Sequence, residues 1–297
     1  MGAILNKQPL VSVVVTTRNE EKHIESCLKS IRLQTYPNIE IIVVDNNSID
    51  KTKDIAIKIV GRTNVFNISE HINLAKIMNY RGAQVNFGVS KAKGSIIFFP
   101  DADMTFDCGL IEEAVYMIKS GYDALHVPEI IIGKGFFGKI RNFERSFYNE
   151  TCIDAVRIVT CYAFQHIGGF DEINIPFAPD DWDLTKSLKK EHFRFSITKS
   201  KKYHHEELLN IKTYLTKKAD YNWTFETYIK KWGKHDFDIK KQFGIYYRYF
   251  GVFIEGMKWR KIICHPILTS GMYSLRLIVG TTYILHKLKS LHMKRNQ

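Results

Sequence analysis

Long apolar runs and amphipathic stretches take turns along the first half of the chain. "LVSVVVTT" at 10–17 is β-branched and apolar, the pattern of a strand buried on both faces. It is followed by Ile24, Leu28 and Ile31 at helical spacing, with Glu20 and Glu21 near the helix start, where the dipole favours acids. "IEIIVVDNN" predicts a second buried strand closed by turn residues, and "SIDKTKDIAIKI" its following helix. The stretch from Asn73 through Ala92 reads as helix, and "SIIFFPDAD" as a third core strand. Strands and helices alternating without a hairpin signal predict parallel β/α/β units in a doubly wound sheet. Ligands of such sheets sit beyond the carboxyl ends of the strands. Asp45, Asp101 and Asp103 all fall there.

Further on, 108–121 has helical periodicity and "YDALHVPEIII" reads as a strand. Residues 133–150 mix glycine, aromatics and arginine, and suggest a mobile flap whose Arg141 and Arg145, with Arg157 beyond, suit a phosphorylated acceptor. The same residues also suit a core with solvated arginines. A second acidic cluster, "PDDWDL", leads into a helix, after "FRFSITKS" comes "KKYHHEE", and from about 208 the chain turns helical, aromatic and basic.

Charge sharpens this division. Residues 1–185 carry 19 Lys+Arg against 23 Asp+Glu, whereas 186–297 carry 24 against 8. The basic half suits an anionic surface, while the absence of any recognition motif speaks against nucleic acid. Five cysteines without CxxC spacing point to a reducing compartment and away from a structural zinc. The N-terminus lacks a basic-then-apolar signal pattern, so secretion is not expected.

Two aspartates separated by one residue at a strand end suit Mg²⁺ or Mn²⁺ held together with phosphate oxygens. An isolated DxD triplet is weak evidence; its place at a strand end, with Asp45 at another, strengthens it. Asp180 and Asp181 suit a general base, or a plain N-cap for the helix they precede. His204 could complete a metal shell beside Asp103, with His205 as the alternative, or both could be surface residues.

Four ordered blocks carry a resemblance: "VSVVVTTRNEEKHIESCLKSI", "IEIIVVDNNSIDKT", "RGAQVNFGVSKAKGSIIFFPDADM" and "GGFDE…PDDWDL". Together they resemble family 2 glycosyltransferases of the GT-A fold over roughly 10–210, in the dolichol-phosphate-sugar-synthase-like, membrane-associated branch. The fold this implies is α/β: a doubly wound, mostly parallel, Rossmann-like sheet followed by a helical, basic, membrane-associating segment. The domains expected are a catalytic one at 1–210 and a C-terminal helical one at 211–297.

The resemblance also implies roles. Thr16, Arg18 and Glu20 would cup the nucleoside, Asp45 would read the base edge, and Arg81 would meet the diphosphate of a nucleotide-diphosphate-sugar donor. Val85 departs from a pattern that commonly has a second arginine there. Asp101 would face the ribose or the metal's water shell, and Asp103 would ligate Mn²⁺ or Mg²⁺ with His204. Asp181 would be the base of an inverting transfer, with Asp180 where glutamate is more usual. The acceptor expected is lipid-linked or a polyprenyl phosphate. The alternatives are a soluble glycan or protein acceptor, or a catalytically silent sugar-nucleotide adaptor, against which the intact Asp101, Asp103 and Asp181 speak.

"IICHPILTSGMYSLRLIVGTTYIL" at 262–285 is nominally long enough to span a bilayer, but Arg276 would cost at least ~2.5 kcal/mol at its centre. Helices lying in the interface, on the cytoplasmic face, are the expectation; a buried helical subdomain is the alternative.

Overall fold

The computed structural model describes residues 8–70, 81–220 and 224–295. Its strands are β1 (Val11–Thr17), β2 (Ile39–Asp45), β3 (Val65–Asn67), β4 (Ile96–Phe98), β5 (Met104–Phe106), β6 (Ala124–His126), β7 (Glu129–Ile132), β8 (Val156–Thr160), β9 (Phe195–Ile197) and β10 (Lys202–His205). The helices are α1 (Ile24–Arg32), α2 (Thr52–Val60), α3 (Arg81–Lys91), α4 (Leu110–Lys119), α5 (Gly135–Arg145), α6 (Cys161–His166), α7 (Asp180–Lys190), α8 (Ile211–Asp220), α9 (Phe225–Trp232), α10 (Phe237–Phe243), α11 (Val252–Ile254), α12 (Trp259–Cys264) and α13 (Pro266–Arg295). The part of the expected third helix before Arg81 lies outside the described residues.

Two compact units divide the chain: residues 1–129 with 154–205, and residues 130–153 with 206–297. The chain passes from the first unit to the second at 129/130, back at 153/154 and over again at 205/206.

A seven-stranded sheet in the order β3-β2-β1-β4-β8-β6-β9 organises the first unit. β1 pairs in parallel with β2 and β4, and β2 with β3. β8 runs antiparallel to both β4 and β6, while β6 pairs in parallel with β9, so the sheet is mixed and mostly parallel, as expected. β1 is buried along its whole length because both its faces are covered: Val13 and Val15 join a core with Leu28, Ile31 and Leu110, while Val14 joins one with Val85, Phe99 and Leu184. A smaller antiparallel ladder sets β10 against β5, with His204 opposite Met104.

α3 approaches this sheet so closely that a Cβ on Gly88 would meet Val14 Cγ1 at 2.2 Å and Val44 Cγ2 at 3.1 Å. Gly88→Ala should therefore destabilise the protein by about 1–3 kcal/mol through overpacking. A calorimetric melt reads it, and an unchanged melting temperature would refute the close contact.

In the second unit, residues 133–150 are not a flap. They fold into α5, which buries Ile140 and Phe143, followed by a turn that buries Phe147. Phe147 packs edge-on against Phe143 and Phe253, at 5.1 and 5.0 Å between centroids. Arg141 is held by Glu206 at 3.0 Å and Glu144 at 3.2 Å. Arg276, the residue that argued against a lone membrane span, is buried on α13 and donates to Glu144 at 2.6 Å and Tyr148 at 2.7 Å. No helix among the described residues is long and apolar enough to cross a membrane.

Candidate active site

The acidic residues gather where the chain leaves β4. Thr16, near the end of β1, bridges to Asp101, and Ala102 N–H donates to the Thr16 carbonyl at 3.2 Å, so the acidic turn is sewn onto the central strand. Arg81, on α3, reaches into the turn. Its Nε pairs with Asp101, one terminal nitrogen donates to Asp181 at 2.8 Å, and the other donates to the Phe99 carbonyl at 3.2 Å. The Phe99 and Phe170 rings flank the guanidinium at 5.8 and 5.6 Å.

Arg157 meets the same carboxylates. It sits on β8, donates to Asp181 at 2.9 Å and lies 3.8 Å from Asp101. It therefore belongs to this site and not with the aromatic stretch before it. An arginine inside the apolar run "AVRIVT" was the available signal, since a core strand tolerates a charge only opposite a partner.

Asp180 and Asp181 are the first two residues of α7, behind Pro179 at the N-cap, and no side chain caps the helix. The capping reading is thus not supported. Burial favours a protonated Asp181, but Arg157 and Arg81 outweigh it and hold the carboxyl below its usual range. Asp180 moves the other way: burial and then the charge of Asp181 push it up to about 7, against the more distant Arg81. The pair thus favours one ionised and one protonated carboxyl.

Asp103 and His204 come together through the β5–β10 ladder. His204 Nε2 lies 3.1 Å from Asp103 Oδ2, and His205 N–H donates to the Asp103 carbonyl at 2.9 Å. His205 points elsewhere, to Thr105 at 3.0 Å, as alternation along β10 requires. Burial works against the imidazolium, but Asp103 on one nitrogen and Glu129 on the other push His204 up to about 10. Among the described residues, no three carboxylate, imidazole or thiol groups cluster as a complete metal shell. Asp101 is engaged by the arginines, leaving Asp103 and His204 as the adjacent pair. Their 3.1 Å separation fits two neighbouring ligands on an octahedral Mg²⁺ or Mn²⁺, whose bonds of about 2.1 Å would set them about 3 Å apart.

Of the expected nucleoside residues, Thr16 and Asp45 lie at the ends of β1 and β2, and Arg18 and Glu20 lie in the loop after β1. Asp45, at the end of β2, is buried and accepts from the Ser48 N–H at 3.0 Å and the Ser48 hydroxyl at 2.5 Å. Arg18 is exposed, and Glu20 pairs with His23 at 3.0 Å. The loops are laced: Asn19 donates to Ser48 and accepts from Ile49, and Glu20 N–H donates to Thr52.

With this geometry the comparisons are specific. The sequence profile described as glycosyl transferase family 2 matches residues 12–172, more than half of the chain. The chain belongs to glycosyl transferase family 2. The chain is 37% identical over 97 residues to glycosyltransferase AglE of Haloferax volcanii, covering 32% of this chain and 31% of that one. Over 139 residues it is 30% identical to the GalNAc(5)-diNAcBac-PP-undecaprenol beta-1,3-glucosyltransferase of Campylobacter jejuni, covering 44% and 43%. The chain spans 26% to 43% of the length of four curated relatives it matches. Its fold is GT-A: it superposes on the mannosyltransferase PcManGT of Pyrobaculum calidifontis, solved with GDP-Man and Mn²⁺, at TM-score 0.63 and 16% identity, over 96% of this chain and 88% of that one.

Proposed function

We propose that the chain is an inverting, divalent-metal-dependent transferase that moves a sugar from a nucleotide-diphosphate donor to a lipid-linked or polyprenyl-phosphate acceptor. The observation that carries this reading is the pair of arginines shared between Asp101 and Asp181. Two guanidiniums beside a strand-end acid suit a diphosphate, and the carboxylate they contact suits a base.

Thr16, Arg18, Glu20 and Asp45 hold the nucleoside, and Asp101 lies toward the ribose side. Asp103 and His204 would hold Mg²⁺ or Mn²⁺, which offsets charge on the departing diphosphate when bound. Arg81 would turn toward the diphosphate when donor binds, which removes one of the two guanidiniums on Asp181 and leaves it paired with Arg157. The acceptor oxygen bonds to the anomeric carbon from the face opposite the leaving group, and the electron pair of the broken bond stays on the nucleoside diphosphate. Where the acceptor is a hydroxyl, its proton passes to Asp181; where it is a phosphate, positioning dominates. Asp180 holds the neighbouring proton and keeps Asp181 as the single charge of the pair.

The acceptor class is supported by the undecaprenol-linked substrate in the name of the Campylobacter relative and by the surface of the second unit. Ten large apolar side chains between Ile245 and Ile278 are exposed there, Tyr246, Phe250, Trp259, Ile263 and Ile267 among them. Residues 239–297 carry 11 Lys+Arg against the single acid Glu255, itself held by Tyr247 at 2.6 Å and Lys241 at 3.5 Å. Such a surface fits the interface of an anionic bilayer at its cytoplasmic face.

Radiolabelled nucleotide sugars incubated with membrane lipid extract should give a metal-dependent product that partitions into organic solvent. Label appearing only in water-soluble glycan would refute the acceptor class. Ile263→Glu with Ile267→Glu should weaken sedimentation with phosphatidylglycerol vesicles at least about tenfold. Unchanged sedimentation would move the membrane contact away from α12 and α13.

A further inference from the structure

The first unit buries a lysine completely, and the catalytic scheme above makes no use of it. Lys202 on β10 is 0% exposed, and its ammonium lies 3.0 Å from Glu129 Oε2. Glu129, itself 9% exposed, has its other oxygen 3.1 Å from His204 Nδ1. His204 then continues to Asp103 at 3.1 Å. Lys202, Glu129, His204 and Asp103 thus form one unbroken chain of contacts ending at the DxD turn.

The topology explains how this chain of groups arises. Lys202 and His204 are two residues apart on one strand and so emerge on the same face of it. Lys202 N–H donates to the Pro128 carbonyl at 2.9 Å, which sets the start of β10 beside the residue preceding Glu129. Taking a lysine and a glutamate out of water costs several kcal/mol per ion, and their mutual attraction offsets this only in good geometry. A hydrophobic pair of similar volume would often be at least as stable. The ion pair therefore calls for a role other than stability, and the imidazole on its far side offers one.

We propose that Glu129 is the positioning residue for His204, and that Lys202 is the counter-charge that keeps Glu129 in place. By accepting a hydrogen bond from Nδ1–H, Glu129 fixes the ring's rotation and turns Nε2 toward Asp103 Oδ2, where the proposed metal is to be held. A carboxylate behind a ligating imidazole also makes the imidazole a better donor. Lys202 prevents Glu129 from rotating toward other partners, so the orientation is set before any ligand arrives. This inference rests on the divalent-metal reading of Asp103 and His204 given above.

The test is Mn²⁺ binding, read by the electron paramagnetic resonance signal of free Mn²⁺ with saturating UDP or GDP. Glu129→Gln keeps an acceptor but loses the charge, and should weaken Mn²⁺ affinity on the order of 10–100-fold. Binding of UDP or GDP without metal should stay within twofold. Should burial of an unpaired Lys202 unfold that variant, Glu129→Gln with Lys202→Met removes both charges together and should show the same loss. In a His204→Ala background, Glu129→Gln should cost nothing further, because its effect runs through the ring. Mn²⁺ affinity within twofold of wild type in both Glu129 variants would overturn the positioning role while leaving the metal reading intact. An equal further loss in the His204→Ala background would overturn it too. A wild-type protein that takes up no Mn²⁺ with either nucleotide would sink both readings together.

Discussion

Asp181→Asn should lower the rate of transfer by about 10²–10⁴-fold, the contribution expected of a positioned general base. Asparagine keeps the shape of the side chain and one acceptor oxygen, so Arg157 and Arg81, at 2.9 and 2.8 Å, retain a partner. Donor affinity, measured calorimetrically in the presence of Mn²⁺, should therefore remain within about threefold. Single-turnover kinetics isolate the chemical step, since product release could otherwise mask a smaller loss. With a phosphate acceptor, which needs no deprotonation, the loss should fall below that range. A change under tenfold with every acceptor would assign Asp181 to holding the two arginines and nothing more.

Arg81→Met should remove donor binding more thoroughly than any other single change in the site, by at least about 100-fold. Arg81 lies within 4 Å of Asp101, Asp180 and Asp181 together. Its loss leaves three half-buried acids with Arg157 as the neighbouring cation among the described residues. Breaking a buried pair from one side typically costs about 3–5 kcal/mol of stability, so melting temperature and donor affinity should fall together. Arg81→Lys separates the two effects. It restores a positive charge and part of the stability, but an ammonium cannot contact Asp101, Asp181 and the Phe99 carbonyl at once as the planar fork does. Donor affinity should stay poor in the lysine variant, and full recovery would show that charge alone suffices.

These two residues also mark how far the sequence could be read. β1, β2 and β4 were legible because unbroken β-branched runs have one comfortable place, a strand covered on both faces. The direction of β8 was not, since "VRIVT" has the same apolar character whichever way the strand runs. Asp101, Asp103 and Arg81 were legible from the ordered blocks they belong to. Arg157 was grouped with its sequence neighbours Arg141 and Arg145, whereas the chain passes from one compact unit to the other at Asp154. Glu129 was invisible because nothing local marks a carboxylate whose partners, Lys202 and His204, lie more than 70 residues downstream. What could have been noticed is the spacing in "KYHHEE": on a strand, a lysine two places before a histidine shares its side.

Glu144 accepts from Arg276 and Tyr148, each at 2.6 Å, and pairs with Arg141 at 3.2 Å. α13 is thereby tied to a segment made more than a hundred residues earlier, much as a buckle is tied to its strap. A recombinant form shortened upstream of Arg276 to improve handling would leave a carboxylate shut inside with too little opposing charge. One ending after Thr282 would keep the buckle fastened. Yields of soluble protein from the two should diverge sharply, with the longer form the better behaved despite its greasier surface.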